Sequence, residues 1–138
     1  MVRKAVIGTA LSLATALAGM TAAAPAQAAT APIEQRCTAW QQPEQDVWII
    51  LCLYRQGVLY QPIATIQNNS PRAVAYDALV ELNGAGAQLC GGWPTATLPA
   101  HANQTCTNGT WIRSDTPATA TLSAMVDFAT PIEVSTSF

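Results

Sequence analysis

Side chains that could perform acid–base or nucleophilic catalysis are few and scattered along this chain of 138 residues. His101 is the single histidine, and no acidic residue is close to it in the sequence. A Ser–His–Asp triad would need distant positions to converge, and no Gly-x-Ser-x-Gly motif occurs. The eight carboxylates are dispersed, whereas a glycosidase needs two that face each other. The sequence therefore predicts a protein that is not an enzyme, without a metal site or a cofactor.

Aromatic side chains offer more material for binding. The chain contains four tryptophans and three tyrosines, all of them after residue 28, and tryptophan is rarely buried completely. An exposed Trp93 or Trp111 could stack on a sugar ring or anchor a protein interface. In the opposite interpretation Trp40, Trp48 and Tyr76 belong to the core, and the other aromatics pack on disulfides. Both interpretations stay open.

The stretch from Trp93 to Asn103 is the candidate binding loop. Its prolines favour an extended backbone, and cysteines near both ends tether it, so that it would lose little entropy on association. Leu98 would present one apolar side chain at its middle, as a protease-inhibitor loop does, and Pro99 would hinder cleavage there. Trp93, Leu98, Pro99 and His101 are the candidate binding residues. An ordinary connection between strands is the alternative.

Four cysteines in a short exported chain indicate two disulfides. We favour the pairs Cys37–Cys52 and Cys90–Cys106, whose loops hold 14 and 15 residues. Each loop would stabilise the fold by about 3 kcal/mol. A zinc site is the alternative, but the spacing lacks the paired Cys-x-x-Cys knuckles of such sites.

The first 28 residues have the organisation of a secretory signal peptide. Arg3 and Lys4 precede an uncharged, alanine-rich run over residues 5–24, and Ala26-Gln27-Ala28 supplies the small-x-small cleavage pattern. A retained membrane anchor is the alternative, although the run is weakly hydrophobic for a membrane span. We expect a secreted, extracellular protein whose residues 29–138 form a single domain.

The predicted mature chain is acidic and contains no lysine. Without Arg3 and Lys4, four arginines stand against eight carboxylates, which gives a net charge of −4. Nucleic acids and anionic membrane surfaces are bound through clustered Lys and Arg. Neither is therefore an expected partner, and we expect a monomer without membrane insertion.

Residues 47–54 are the stretch around which the other strands are organised. They are uncharged and rich in branched and aromatic side chains, which indicates a strand with two apolar faces. Both faces need cover, and a Cys37–Cys52 disulfide would strap residues 29–44 over the outer one. Pro62 predicts that the run over residues 58–67 is an edge strand or contains a bulge.

Several later segments also resemble strands. Apolar and polar residues alternate over residues 73–82, 118–128 and 131–138, as in half-buried strands. In the second of these, Phe128 is expected inward and Asp127 outward. Asn108-Gly109 is the strongest hairpin signal. Short strands, frequent turns and no helical period predict an all-β, antiparallel immunoglobulin-like β-sandwich with two disulfides.

The outline of the chain resembles that of small secreted actinobacterial two-disulfide β proteins. The features that carry this resemblance are the leader ending in Ala26-Gln27-Ala28, about 110 mature residues, four cysteines and a last strand ending at Phe138. The subtilisin-inhibitor-like proteins and the apoproteins of enediyne chromophores share this outline. The Gly-x-His-Pro segment of the first group is absent between Cys37 and Cys52, so no functional residue is transferred.

The sequence thus predicts a small secreted binding protein. Its first expected partner is an extracellular protein, engaged through the 93–103 loop, with protease inhibition as one form of that activity. The alternative is a carbohydrate-binding or cell-envelope-associated structural protein that uses exposed aromatics, with a glycan as its partner.

Overall fold

The computed structural model of the protein describes residues 31–83, 87–90, 95–107 and 110–138. The predicted signal peptide, the Asn108-Gly109 pair and Trp93 lie outside these residues. The described residues form eleven β-strands and no helix. In chain order these are β1 (Ile33–Cys37), β2 (Gln41–Glu44), β3 (Val47–Gln56), β4 (Leu59–Asn68), β5 (Val74–Leu82), β6 (Ala87–Cys90), β7 (Ala96–Leu98), β8 (Asn103–Cys106), β9 (Ile112–Arg113), β10 (Thr119–Val126) and β11 (Ile132–Ser137).

These strands form two antiparallel sheets. The first has the order β1-β3-β4-β8, with β2 also paired to β3 and β9 also paired to β4. The second has the order β11-β10-β5-β6, with β7 also paired to β5. β3 and β4 pair without interruption from Val47 opposite Asn68 to Gln56 opposite Leu59. Gly57 allows the turn between them, because its φ of 63° is left-handed and costs glycine little.

The hydrophobic core lies between the two sheets. Every second residue of β3 is buried, and Val47, Ile49, Leu51 and Leu53 have no exposed surface. β5 and β10 alternate in the same way, because successive side chains of a strand point to opposite faces. The predicted all-β class is confirmed, with two sheets and two disulfides.

The segment predicted to cover the outer face of β3 lies instead in the plane of the first sheet. β1 pairs with β3 so that Cys37 is opposite Cys52, and the disulfide joins these neighbouring strands with a Cα–Cα distance of 4.0 Å. β2 pairs with the beginning of β3. The prediction was wrong because both segments complete the hydrogen bonding of a free strand edge. The outer face of β3 is left partly exposed.

β4 is an interior strand, although Pro62 predicted an edge strand or a bulge. β9 pairs with β4 at residues 59–60 and β8 at residues 64–67, so Pro62 lies beside the gap between them. Proline is tolerated there because no neighbouring strand needs its missing N–H. Both β8 and β9 run antiparallel to β4 and therefore parallel to each other.

The end of β10 departs from the predicted alternation. Asp127 and Phe128 have φ angles of 47° and 59°, a left-handed turn that reverses which side each residue faces. Phe128, predicted inward, is 73% exposed. Asp127, predicted to be solvated, accepts a hydrogen bond from the backbone N–H of Ala75 at 2.9 Å and forms an ion pair with Arg72.

The second disulfide joins the two sheets. Cys90 ends β6 in the second sheet and Cys106 ends β8 in the first, and both are buried. The structure thus contains the two pairs that the sequence favours, Cys37–Cys52 and Cys90–Cys106.

Candidate functional site

The predicted binding loop is partly built into the second sheet. β7 pairs with β5 so that Leu98 lies opposite Val74, and only 3% of Leu98 is exposed. The prediction that Leu98 presents its side chain to a partner was wrong, because this side chain belongs to the core. Pro99 and His101 are exposed, while Trp93 lies outside the described residues.

A buried asparagine holds the remainder of this loop. The Asn68 side-chain nitrogen donates hydrogen bonds to the carbonyl oxygens of Arg72 (2.8 Å), Leu98 (3.3 Å) and Pro99 (2.9 Å). Its Oδ1 accepts one from the Ser70 hydroxyl at 2.6 Å, and Asn68 has no exposed surface. Buried polar groups are costly unless they are hydrogen-bonded, so this network fixes the loop backbone. The turn composition at residues 68–71 did not reveal this role.

His101 is held mainly through its backbone. Its φ is 56°, a left-handed value that histidine, like asparagine and aspartate, adopts more often than other residues apart from glycine. Its N–H donates to the Ser70 carbonyl at 3.3 Å. Its side chain is exposed, as expected of a solvated loop residue. Within the described ranges no three histidine, cysteine or acidic side chains converge to hold a metal ion.

The outer face of the first sheet brings aromatic, amide and hydroxyl side chains together. Residues that pair across antiparallel strands share a face, so the partly exposed residues of β3 lie beside alternate residues of β1, β4 and β8. None of these side chains is charged. We call the set the uncharged face: Gln35, Cys37, Trp48, Ile50, Cys52, Tyr54, Gln61, Ile63, Thr65, Gln67, Asn103 and Thr105.

A depression of about 270 Å³ lies at one end of the uncharged face. It is lined by Trp40, Trp48, Gln67 and Asn69, and Trp40 is 45% exposed. The Asn69 backbone is fixed by a hydrogen bond of 2.7 Å from its N–H to the Asp46 carbonyl. Two indole rings thus border a concavity with two primary amides, each of which can both donate and accept hydrogen bonds.

Tyr54 marks the other end of the uncharged face. It is six residues from Trp48 on the same strand, about 20 Å at the rise of a β-strand. Gln35 and Gln61 lie opposite Tyr54 on its two neighbouring strands, and the Gln61 amide donates to the Thr107 hydroxyl at 3.3 Å. The Cys37–Cys52 disulfide lies between the two aromatic ends. Beyond Tyr54, Arg113 forms an ion pair with Asp115.

All four arginines after residue 28 are engaged with other groups. Arg55, Arg72 and Arg113 pair with Glu34, Asp127 and Asp115. The hydrogen bond to Glu34 is the main influence that raises the pKa of the Arg55 guanidinium. Arg36 and Arg55 also lie over the Phe138 ring, 4.9 and 4.4 Å from its centroid. These contacts fix the end of β11 against β1 and β3 and leave no cluster of basic groups for an anionic ligand.

Sequence reasoning missed the site formed by Trp40 and Trp48, which it treated as core in one interpretation. The available signal was the alternation in β4, where Gln61, Ile63, Thr65 and Gln67 share one face. That face becomes visible only once the register places Trp48 opposite Gln67. Trp111, the other candidate stacking residue, is partly exposed and directly precedes β9.

Comparisons with known proteins give little further information. No family model and no curated protein matches the chain. An X-ray structure of Northeast Structural Genomics Consortium target SoR45 matches over 78% of this chain and 81% of its own, with 13% sequence identity and a TM-score of 0.30. Similarity at this level carries no argument about function. Among the residues that the structure describes, none forms a helix long and apolar enough to cross a membrane.

Proposed function

We propose that this is a secreted, non-catalytic binding protein that binds a neutral glycan through the uncharged face. The observation that carries the proposal is the depression in which Trp40 and Trp48 border Gln67 and Asn69. The C–H face of a sugar ring packs on the electron-rich face of an indole, while its hydroxyls exchange hydrogen bonds with side-chain amides.

The composition of the uncharged face favours a glycan over other partners. Ile50, Ile63 and the Cys37–Cys52 disulfide lie at the centre of the uncharged face. Amide and hydroxyl side chains surround this centre, and two of the amides line the depression itself, which suits a ligand rich in hydroxyls. Nucleic acids and anionic lipids need basic groups, and the arginines are engaged elsewhere. A neutral polysaccharide needs no basic groups. Trp48 and Tyr54, at the two ends of one strand, would contact different units of the same chain.

The proposed location and fold agree with this function. Two disulfides are typical of proteins in oxidising, extracellular compartments, and they support the secretion that the leader predicts.

We also infer that the two sheets form an immunoglobulin-like sandwich, supported by their antiparallel strands, shared core and inter-sheet disulfide. A crystal structure would test that assignment through strand order and sheet packing angle. The proposed form is a monomer, which sedimentation equilibrium tests directly.

The sequence-based prediction of an extracellular protein partner at the 93–103 loop is a second proposal. Its support is the loop backbone held by Asn68, because a rigid segment loses little entropy when it binds. In this proposal Leu98 has a structural role, and contact falls to Trp93, Pro99 and His101. Affinity capture from the producing organism's culture filtrate tests it, since a Pro99→Gly, His101→Ala variant should lose the captured protein.

Native gel electrophoresis in gels that contain a soluble polysaccharide tests glycan binding. We expect at least one neutral polysaccharide from a panel of glucans, mannans and xylans to retard the protein. Trp48→Ala should weaken binding at least 30-fold, about 2 kcal/mol, as truncation of a central tryptophan does. Phe128→Ala is the matched control, because it removes an exposed aromatic that lies outside the uncharged face. If no member of the panel retards the protein, or if both variants lose binding equally, the proposal is wrong.

A further inference from the structure

The outer face of the second sheet carries a separate apolar groove of about 320 Å³. Leu79, Leu89, Met125 and Pro131 supply its apolar surface, and Leu89 is 49% exposed. Because the two sheets pack with their inner faces together, this groove and the uncharged face lie on opposite sides of the molecule. The groove has no part in the proposed glycan binding.

Strand register explains why the groove exists. Leu79 on β5 lies opposite Leu89 on β6 and opposite Ser123 on β10. Met125 follows Ser123 on the same face, and Pro131 leads into β11 beside it. The apolar row therefore runs diagonally across the solvent-facing side of the sheet, from Leu89 and Leu79 to Met125 and Pro131. Alternation over residues 73–82 predicts a half-buried strand, whereas the contact of Leu79 with Leu89 depends on the register between β5 and β6.

Three carboxylates surround this apolar row. Asp77 and Glu81 flank Leu79 on the same face of β5, each two residues and about 7 Å away along the strand. Glu133 lies opposite Ser123, whose hydroxyl approaches its carboxylate at 3.5 Å. Within the described part of the chain none of these three acids has an ion-pair partner, since the ion pairs of that part involve other acids.

We propose that this groove binds a basic segment of another extracellular protein, in which one bulky aliphatic side chain lies between two Lys or Arg residues. The apolar row requires an aliphatic side chain, because exposed apolar area is stabilised by burial. The unpaired acids require positive charge on both sides of that side chain. An extended segment with basic residues at positions i and i+4 and leucine at i+2 matches the spacing of Asp77, Leu79 and Glu81.

Titration with an N-acetylated, C-amidated Lys-Ser-Leu-Ser-Lys peptide, followed through backbone amide chemical shifts by NMR, tests this inference. The expected shifts lie on β5, β6 and β10 around Leu79, and the expected affinity falls several-fold between 20 and 500 mM NaCl because exposed charges are screened. Two control peptides carry serine in place of leucine, or glutamate in place of both lysines. Each should bind at least fivefold more weakly.

Variants of the protein separate the two contributions. Leu89→Ser should lower the affinity for the peptide at least fivefold. Asp77→Asn and Glu81→Gln should each lower it about twofold to fivefold. Glu44→Gln is the matched control, because Glu44 lies on β2 in the other sheet, and it should leave affinity unchanged. All four positions are on the surface or partly exposed, so the variants should fold.

Four results would overturn the inference: no binding at 10 mM peptide, equal binding of either control peptide, shifts centred outside the groove, or the same resonances moving when the protein is concentrated without peptide. The last would mean that a second copy of the chain occupies the groove. Glycan binding is measured separately and would be unaffected by any of these results, so failure here is distinguishable from failure of the proposed function.

Discussion

The two outer faces of this protein are built by the same rule and carry opposite chemistry. In the central strands β3, β5 and β10, buried residues alternate with residues that are at least partly exposed. On the first sheet the uncharged face combines aromatic, amide and hydroxyl groups with Ile50, Ile63 and the Cys37–Cys52 disulfide. On the second sheet the outward residues include two leucines, a methionine and three carboxylates without an ion-pair partner, together with threonine and serine. The inward-facing residues of the strands therefore form the core, and the outward-facing residues carry the two proposed binding sites.

The two disulfides also differ, in which strands they join and in their burial. Cys37–Cys52 joins neighbouring strands of one sheet and is itself part of the uncharged face. Cys90–Cys106 joins the two sheets and is buried. The first is expected to organise one face, whereas the second supports both faces through the core.

The largest expected effect concerns a residue that belongs to neither face. Leu98→Ala should lower the free energy of unfolding by about 3 kcal/mol, because it leaves a cavity in the core. The folded fraction should keep its affinity for a neutral glycan and for the Lys-Ser-Leu-Ser-Lys peptide. Urea denaturation and binding at low denaturant measure both quantities. Unchanged stability with lost binding of a captured protein would restore Leu98 as a contact residue of the loop.

Removal of the exposed disulfide should affect the two faces unequally. The Cys37→Ser, Cys52→Ser variant should lose about 3 kcal/mol of stability, as expected for a loop of this length. Its glycan affinity should fall, because β1 and the position of Trp40 depend on that bond, while its peptide affinity stays the same. The measurements are thermal unfolding and both binding assays on the oxidised variant. Equal losses at both faces would contradict the separation of the two sites.

Salt concentration should have a smaller effect than either variant, and its effect on ligand affinity should differ between the two faces. Between 20 and 500 mM NaCl, glycan affinity should change less than about twofold, because no charged group lies on the uncharged face and only charges are screened. Peptide affinity should fall several-fold over the same range. Titration calorimetry in matched buffers measures both affinities. If the glycan affinity depends on salt, charged groups outside the uncharged face contribute to glycan binding.

The smallest expected effect concerns Tyr76, a buried residue of the core between the two sheets rather than of either outer face. Burial raises the pKa of the Tyr76 hydroxyl above its ordinary value of 10.0, so the folded protein keeps its phenol neutral where the unfolded chain ionises. Below pH 10 both states hold the proton and stability is unaffected. Above pH 10 the free energy of unfolding should fall as the pH rises, because the unfolded chain releases the proton more readily than the folded protein. Tyr76→Phe should remove this part of the pH dependence in urea denaturation at pH 9 to 11, and an unchanged profile would contradict it.

Much of the fold could be predicted because the strands that form the core carry a local pattern. An uncharged apolar run marks β3, and alternation of apolar and polar residues marks β5, β10 and β11. The cysteine spacing indicated the disulfides. β1 and β2 could not be predicted from periodicity, because edge strands bury little and their residues show no alternation. The pairing of both β8 and β9 with β4 depends on partners distant in sequence, and the turn at Phe128 depends on left-handed backbone conformations.

The candidate site was less predictable than the fold, for a related reason. Its aromatic residues were visible in the sequence, but their convergence with Gln67 and Asn69 depends on the register between β3 and β4 and on where β2 ends. Leu98 looked exposed because prolines surround it, and only its pairing with Val74 places it in the core. Side-chain type could thus be assigned locally, whereas exposure could not.

NMR mapping of an oligosaccharide on the protein is the decisive test of whether the uncharged face binds a neutral glycan. The protein is titrated with an oligosaccharide of the polysaccharide that retards it in gels, while backbone amide and indole N–H resonances are followed. The expected result is that the indole signals of Trp40 and Trp48 shift together with the side-chain amide signals of Gln67 and Asn69, which the same spectra record. Shifts confined to the backbone amides of Ala100 and His101, or to the groove around Leu79, would contradict glycan binding at the uncharged face.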